Sequence, residues 1–167
     1  DVPVCLHGKA TLMSGIGEKL TELPDLPPLP IVLINPGKPV STPAIFKARE
    51  EDGFSDEGLW NIHTRYESGA ALAADLQECG NDLTLAATSI LPDICDVLNA
   101  MAREEGCLLA RMSGSGATCF AIYDTATQAE KAANAIASQH ENWWIVPTEI
   151  RCEQSQILSN IGASFPD

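Results

Sequence analysis

Residues 112–120 form a short glycine-containing segment between two apolar runs, and their types suit a site for an anionic ligand. Gly114 and Gly116 lie between the apolar runs 107–112 and 117–123. Glycine adopts backbone angles closed to other residues and lets a ligand approach the main chain. Backbone N–H groups in such turns bind phosphate oxygens. The alternative is a tight hairpin turn between two strands, in which glycine and serine are also frequent.

The pattern around this segment excludes several other chemistries. No lysine follows the glycines as a P-loop requires, and Ser113 and Ala117 stand where a nucleophile elbow has glycines. His7, His63 and His140 are far apart in the sequence, with no Glu or Cys at ligand spacing. We therefore expect no metal-binding residues and no serine–histidine triad, and we interpret the histidines as packing or surface residues.

The composition limits the partners of the chain. Its net charge is −13, whereas nucleic acids and anionic membranes require clustered Lys and Arg, so we expect neither as a partner. A phosphate site would need backbone N–H groups or basic residues outside this chain. We find no apolar run of about 18 residues and no segment that resembles a signal peptide, so we expect a soluble protein. Six cysteines without a C-x-x-C pair are typical of reduced core thiols and favour a cytoplasmic protein.

The first 30 residues predict an arm that is separate from the main body. Apolar residues alternate imperfectly with glycines over the first 20 or so positions, a pattern that favours a β-hairpin. Four prolines between Leu23 and Pro30 then indicate an extended linker. We therefore divide the chain into an arm and linker over residues 1–30 and a compact body over residues 31–167.

The body has the pattern of an α+β domain. The apolar run Ile31–Ile34 predicts a strand. Pro43 suits the start of a short helix over residues 44–49. The polar residues 51–69 predict a surface excursion. The remaining predicted elements are a helix that Asn81 caps over 83–91, a helix over 94–101, strands over 107–112 and 117–123, a helix over 129–137 with a capping box at Thr125 and Gln128, and a strand over 143–150. This order is the split βαβ pattern of ferredoxin-like folds. We expect both helical blocks to pack on one face of an antiparallel sheet.

Several segments, taken together and in order, resemble one family. They are Asp1–Val4, Gly15–Glu18, Asn35–Gly37, Ser41–Phe46, Asn81–Leu83 and Arg111–Phe120. In this combination the chain is similar to the 4-diphosphocytidyl-2-C-methyl-D-erythritol kinases of the GHMP kinase superfamily. The resemblance covers nearly the whole chain, and it makes the body similar to the GHMP kinase C-terminal domain.

The resemblance implies a reaction and its partners. The family uses ATP with Mg²⁺ to phosphorylate the 2-hydroxyl of a cytidine-diphosphate sugar alcohol, a step of the non-mevalonate route to isoprenoids. It also implies that the chain is the C-terminal portion of such an enzyme, and that the arm over residues 1–30 belongs structurally to the N-terminal domain. The family's N-terminal half, with its Gly-rich ATP loop, has no counterpart here. We expect this half as a partner, and we expect the isolated chain to be inactive.

The resemblance also implies roles for residues near the reacting groups. Asp1 matches the aspartate that accepts the proton of the attacking hydroxyl; its alternative role is that of an exposed terminal acid. Gly114, Ser115 and Gly116 match the Gly motif of the C-terminal domain, which packs toward the cleft between the two domains. We expect close approach of the main chain and N–H donation to diphosphate oxygens there.

Three further residues match the cytidine pocket of the family. Phe46 matches the aromatic residue that stacks on cytosine, although a core Phe on an amphipathic helix would fit the same pattern. Thr42 matches a polar residue beside the base, and it could equally be the helix cap. Ile16 resembles an apolar wall of the pocket, or an ordinary hairpin residue. We interpret Asn81 and Asp82 as helix-capping and structural residues.

Two other functions fit parts of the sequence. One is another GHMP kinase, acting on mevalonate derivatives or homoserine; the aromatic residue in Ser41–Phe46 argues against it, because a stacking ring suits a nucleobase. The other is a non-catalytic ferredoxin-like module that binds a small molecule or a partner chain through its sheet.

Overall fold

The computed structural model of the chain describes residues 9–24, 26–52 and 66–151. The strands are β1 (Thr11–Ser14), β2 (Lys19–Glu22), β3 (Leu29–Asn35), β4 (Cys107–Met112), β5 (Cys119–Tyr123) and β6 (Trp144–Ile150). The helices are α1 (Thr42–Asp52), α2 (Gly69–Gln77), α3 (Thr84–Ile90), α4 (Asp93–Ala102) and α5 (Ala126–Ala137).

Four of the strands form one antiparallel sheet in the order β4-β5-β3-β6. The central strand β3 pairs through Ile34 with Cys119 of β5 on one side and with Ile145 of β6 on the other. This strand order confirms the ferredoxin-like α+β body. The remaining strands, β1 and β2, pair with each other in a separate two-stranded sheet, so the predicted hairpin is confirmed for its described residues.

One face of the four-stranded sheet carries the larger core. Because side chains alternate along a strand, every second residue points to this face. The buried strand residues are Val32, Ile34, Met112, Cys119, Ala121 and Tyr123. Helices α4 and α5 cover them with buried stripes formed by Ile94, Val97 and Met101 and by Ala129, Ala132, Ala133 and Ile136. The Thr125 hydroxyl accepts a hydrogen bond from the Gln128 N–H, which confirms the predicted start of α5.

The opposite face of the sheet is covered by a helix that was not predicted, whereas the predicted helices α3, α4 and α5 share the first face as expected. Helix α2 packs Leu72 and Ala73 there in a second core that includes Leu29, Ile31, Leu109 and Ile122. The Ser68 hydroxyl caps α2 by accepting from the Ala71 N–H. The sequence assignment had no helix in this region, because its short alanine-rich run has only a weak apolar stripe.

The element bounds differ from the predictions by a few residues. Helix α1 is longer than the predicted 44–49, and β3 begins two residues before Ile31. The helix predicted over 83–91 extends from Thr84 to Ile90. The turn before it fixes its start, and Pro92 limits its end. The strand predicted over 117–123 begins at Cys119, because the preceding residues belong to the turn.

The four cysteines that the structure describes are free thiols that differ in burial. Cys119 is fully buried, and desolvation raises its pKa to about 12. Cys79 and Cys107 are half-buried. Cys95 is exposed on α4, so the expectation of a core position is wrong for this residue. Cys5 and Cys152 lie outside the described residues.

Two adjacent tryptophans at the start of β6 divide between core and surface. Trp143, just before the strand, packs against the larger core and stacks on His140 at a ring distance of 3.7 Å. Trp144 is 52% exposed. His140 is therefore a packing residue, whereas His7 and His63 lie outside the described residues. Within the described ranges, none of the helices is both long and apolar enough to cross a membrane.

Candidate functional site

Residues 113–117, here called the Gly turn, connect β4 to β5. The Ser113 N–H donates to the Thr118 carbonyl and the Gly116 N–H donates to the Ser113 carbonyl, each at 2.9 Å. Gly114 and Gly116 have φ values of +53° and +84°, which are in the region that favours glycine. The hairpin interpretation is therefore correct as a description of the connection, and it leaves the functional interpretation open.

The two glycines of the turn have different surroundings. A Cβ atom on Gly116 would lie 2.9 Å from Met112 Sδ and 3.2 Å from Ile94 Cδ1, both of which are buried core side chains. A Cβ atom on Gly114 would meet no atom within 4 Å. Gly116 is thus fixed by packing, whereas Gly114 stands at the exposed tip of the turn, where a ligand has access to the main chain.

The hydrogen bonds of the turn determine which N–H groups can bind a ligand. The Gly116 N–H donates to the Ser113 carbonyl. It is therefore not available to a ligand, although N–H donation was expected for all three residues 114–116. The N–H groups of Gly114 and Ser115 have no acceptor in the described part of the chain. The turn therefore offers two neighbouring donors, of which Gly114 is exposed and Ser115 is half-buried.

Helix α1 begins beside the Gly turn. Ser41 is its cap, since its hydroxyl accepts from the Ala44 N–H at 3.4 Å. The first helical residue, Thr42, places its hydroxyl oxygen 2.8 Å from that of Ser115. The partial positive charge of the helix N-terminus thus lies at the turn, an arrangement that favours an anionic ligand.

Phe46 lies one helical turn after Thr42 and on the same face of α1. The residue is 42% exposed, so the interpretation of Phe46 as a core residue is wrong. The core contact of this helix is made instead by Ile45, which is fully buried. Burial of Ile45 therefore leaves Phe46 accessible on the face of α1 that begins at the Gly turn.

Asn81 contacts the Gly turn and does not cap α3, which corrects the sequence assignment. Its Nδ2 donates to the Met112 carbonyl at 3.0 Å and to the Gly114 carbonyl at 2.8 Å. Its Oδ1 accepts from the Leu83 N–H at 3.0 Å, within the turn that precedes α3. Leu83 holds the N-cap position without a side-chain hydrogen bond.

Asp82 connects the same turn to helix α1. Its Oδ1 lies 3.4 Å from a guanidinium nitrogen of Arg49, in the last turn of α1. The side chains of Arg49 and Asp82 are only 15% and 33% exposed. Asp82 is therefore a structural residue, as expected, and its ion pair fixes the far end of α1.

The loop between β3 and α1 is anchored beside the Gly turn. Asn35 Nδ2 donates to the Thr118 hydroxyl at 2.9 Å, and Asn35 Oδ1 accepts from the Gly37 N–H at 2.8 Å. Lys38 Nζ donates to Asp93 Oδ1 at 2.5 Å. The hydrogen bond from Lys38 lowers the pKa of Asp93 below its ordinary value, and this effect exceeds that of desolvation.

The remaining residues predicted for the site are not brought to the Gly turn by described contacts. Asp1 lies outside the described residues, and its role stays a prediction. Ile16 lies at the tip of the β1–β2 hairpin, where its side chain is 99% exposed and its N–H donates to a Glu18 carboxylate oxygen at 2.7 Å. Its role in a pocket also stays a prediction. Among the described residues, no three His, Cys, Asp or Glu side chains come together to hold a metal ion.

The fold agrees with one class of protein. Residues 62–142 match the family described as “GHMP kinases C terminal”. The described body has the fold of a GHMP kinase C-terminal domain. Within this family the chain is similar to the 4-diphosphocytidyl-2-C-methyl-D-erythritol kinases of two bacteria. The relative from Dinoroseobacter shibae is 47% identical over 153 residues, which are 90% of this chain and 52% of the relative.

The second relative, from a Chelativorans species, is 43% identical over 157 residues, which are 94% of this chain and 52% of the relative. A crystal structure of 4-(cytidine 5′-diphospho)-2C-methyl-D-erythritol kinase matches with a TM-score of 0.64 and 30% identity, covering 89% of this chain and 53% of that one. The homoserine kinase from Cytophaga hutchinsonii has a TM-score of 0.61 at 18% identity, which shows a common fold alone. The chain spans about half the length of the curated relatives it matches.

Proposed function

We propose that this chain provides the cytidine-binding side of a kinase that phosphorylates the 2-hydroxyl of 4-diphosphocytidyl-2-C-methyl-D-erythritol with ATP. The observation that carries the proposal is the contact between Thr42 and Ser115, because it joins the helix of Phe46 to the Gly turn. A nucleobase and a diphosphate require these two features side by side. The names of the relatives support this reaction over the alternatives of another GHMP kinase or a non-catalytic module.

The activity is proposed for an enzyme in which this chain acts together with a segment equivalent to the half of its relatives that it does not match. That segment would bind ATP, which is a substrate of GHMP kinases. Mg²⁺ is expected from the family, but the described residues include no cluster of metal ligands, so we assign it no residue here. We place the reaction in the cytoplasm and in non-mevalonate isoprenoid synthesis.

The site residues would divide the substrate between them. The Phe46 ring would stack on cytosine, and Thr42 would lie beside the base. The N–H groups of Gly114 and Ser115 would donate to diphosphate oxygens, supported by the positive end of α1. Because the chain has a net charge of −13, we assign phosphate binding to its backbone N–H groups.

Proton transfer would be the role of Asp1. As the substrate 2-hydroxyl oxygen forms its bond to the γ-phosphorus of ATP, the bond from that phosphorus to the bridging oxygen of ADP breaks. The hydroxyl proton passes to the Asp1 carboxylate. A positioned base of this kind contributes about 10²- to 10⁴-fold to the rate. The Ile16 side chain would complete the apolar wall of the cytidine pocket from the hairpin.

The test is a steady-state assay of ADP formation by the full gene product that carries this sequence, with the cytidine substrate and with its uridine counterpart. We expect Phe46→Ala to raise KM for the cytidine substrate about tenfold, because stacking on a base contributes about 1–3 kcal/mol. We expect Asp1→Asn to lower kcat by about a hundredfold or more with little change in KM.

Trp144→Ala is the matched control, because Trp144 is an aromatic residue that is 52% exposed and lies on the edge strand β6. It should leave KM unchanged. Absence of cytidine-dependent ADP formation in the unaltered full gene product would disprove the proposed function. An unchanged KM in Phe46→Ala would disprove the stacking role.

A further inference from the structure

We propose that Asn81 is a positioning residue for the Gly turn, whose carboxamide orients the Ser115 N–H toward an anionic ligand. The inference rests on the proposed function for the identity of that ligand, a nucleoside diphosphate. The positioning itself rests on geometry alone. One side chain makes three hydrogen bonds, and two of them end on carbonyl oxygens of residues 112–114.

The orientation of the Asn81 carboxamide is fixed by its partners. Its Oδ1 faces the Leu83 N–H, which can only donate, and its Nδ2 faces the carbonyls of Met112 and Gly114, which can only accept. A flipped amide would place like groups against one another at all three contacts. Asn81 therefore holds the two carbonyls through both of its N–H bonds.

The hold on the Gly114 carbonyl determines where the next N–H points. The peptide between Gly114 and Ser115 is trans, so its C=O and N–H point in opposite directions. Because the carbonyl points at Asn81, the Ser115 N–H points away from Asn81. This N–H has no acceptor among the described residues, and the hydroxyl of the same residue contacts Thr42 at the start of α1.

Asp82, the residue after Asn81, is connected to helix α1. Asp82 pairs with Arg49 in the last turn of α1, while Asn81 binds the Gly turn. Residues 81–82 thus connect both elements that meet at the contact between Thr42 and Ser115. Loss of the Asn81 amide should affect the phosphate part of the site and leave the helix of the base in place.

The test variant is Asn81→Asp. Aspartate keeps the acceptor for the Leu83 N–H, but it places a carboxylate oxygen against the two carbonyl oxygens, where the amide had donated. The matched control is Gln77→Glu, since Gln77 Nε2 donates to the Leu108 carbonyl at 2.9 Å on the opposite face of the sheet. Both substitutions replace an amide by a carboxylate that faces a β4 carbonyl.

The first readout is amide hydrogen exchange by NMR in the chain without ligand. The N–H groups of Ser113 and Gly116 donate to the carbonyls of Thr118 and Ser113, so their exchange rates report the order of the Gly turn. We expect both to exchange about tenfold faster in Asn81→Asp and to be unchanged in Gln77→Glu. Unchanged exchange in a folded Asn81→Asp protein would overturn the positioning role. If this variant does not fold, Asn81→Ala provides the same comparison without the added charge.

The second readout compares CDP with cytidine by calorimetric titration of the full gene product. We expect Asn81→Asp to lower the affinity for CDP about tenfold and to change the affinity for cytidine by less than about twofold. An equal loss for both ligands would overturn the assignment of the Ser115 N–H to phosphate. If the unaltered protein binds neither ligand, the proposed function fails, and hydrogen exchange still decides whether Asn81 positions the turn.

Discussion

Gly114 and Gly116 are two glycines of one turn that have different roles. Both have positive φ values, but a side chain on Gly116 would meet the buried Met112 and Ile94, whereas one on Gly114 would meet no atom within 4 Å. Gly116 therefore contributes to stability through the core. Gly114 contributes access to the main chain, which matters to a ligand more than to the fold.

Alanine at each glycine should separate these contributions. We expect Gly116→Ala to lower the free energy of unfolding by about 2–4 kcal/mol, since strain at positive φ adds to overpacking of the core. Gly114→Ala should lower it by only about 1 kcal/mol. Urea denaturation followed by circular dichroism measures both values.

For ligand binding we expect the larger effect from Gly114→Ala and the smaller one from Gly116→Ala. Gly114→Ala places a methyl group on the exposed side of the turn, so we expect weaker CDP binding in a protein that is nearly as stable as the unaltered one. Equal losses of stability in the two variants would contradict the assignment of Gly116 to packing. Equal CDP affinity in Gly114→Ala and the unaltered protein would contradict a ligand beside Gly114.

Individual site residues were predictable from the sequence to different degrees. The resemblance assigned Thr42 and Ser115 to one site, and in the structure their hydroxyl groups lie 2.8 Å apart, a contact that was not predicted. Asn81 was misassigned as a cap, because its partners are backbone carbonyls 31 and 33 residues further on. A carbonyl has no residue identity, so no sequence pattern could indicate that contact. The role of Asp1 remains a prediction.

At the scale of elements, helix α1 is fixed at several points along its length. The burial of Ile45 holds its middle, the ion pair of Arg49 with Asp82 holds its last turn, and Thr42 contacts the Gly turn at its start. The loop before the helix is fixed by Lys38 and Asp93. A preorganised helix keeps Phe46 in place without a ligand, which lowers the entropic cost of binding.

The pair of Lys38 and Asp93 should make the stability of this loop depend on pH. Lys38 lowers the pKa of Asp93 in the folded state, so the stabilisation is complete above the ordinary aspartate pKa, about 3.9. It is lost as the pH falls through the lower pKa of the folded protein. We expect Lys38→Gln to raise the pKa of Asp93 toward its ordinary value, as measured by NMR titration of the carboxyl group.

The control for this titration is Lys9→Gln, because Lys9 pairs with Glu22 in the β1–β2 hairpin. It should leave the pKa of Asp93 unchanged. An Asp93 pKa that stays low in Lys38→Gln would mean that the N-terminus of α4, and not the lysine, stabilises the carboxylate.

The elements themselves were predictable where local signals were strong. Helix α5 has the capping pair Thr125 and Gln128 and a clear apolar stripe, and it was predicted. Helix α2 buries only Leu72 and Ala73, so its period was too weak to identify, although Ser68 is a good cap. The split βαβ order correctly predicted that α3, α4 and α5 share one face of the sheet, whereas the position of α2 could not be predicted because the helix itself was not identified.

At the scale of the whole molecule, the acidic charge acts against the compact state. A net charge of −13 on 167 residues produces mutual repulsion that salt screens. Raising the ionic strength from about 0.01 M to 0.15 M shortens the screening length from about 30 Å to about 8 Å. We expect the Tm measured by differential scanning calorimetry to rise over this range at pH 7.

The same salt series near pH 4.4 is an internal control, because the chain carries almost no net charge there. The rise in Tm should disappear at that pH. A salt effect of equal size at both pH values would assign it to preferential exclusion of the ions and not to charge repulsion.

The strand order has a consequence for how the protein is made. The central strand β3 has both of its partners, β5 and β6, in the last third of the described chain, and Asn35 bonds to Thr118 from 83 residues away. During synthesis β3 leaves the ribosome before β5 and β6, and it cannot enter the sheet until those strands have emerged. Contacts so distant along the chain slow folding. The nascent chain therefore exposes this apolar strand until β5 and β6 have been made, and that is the interval in which a chaperone would have the greatest effect on the yield.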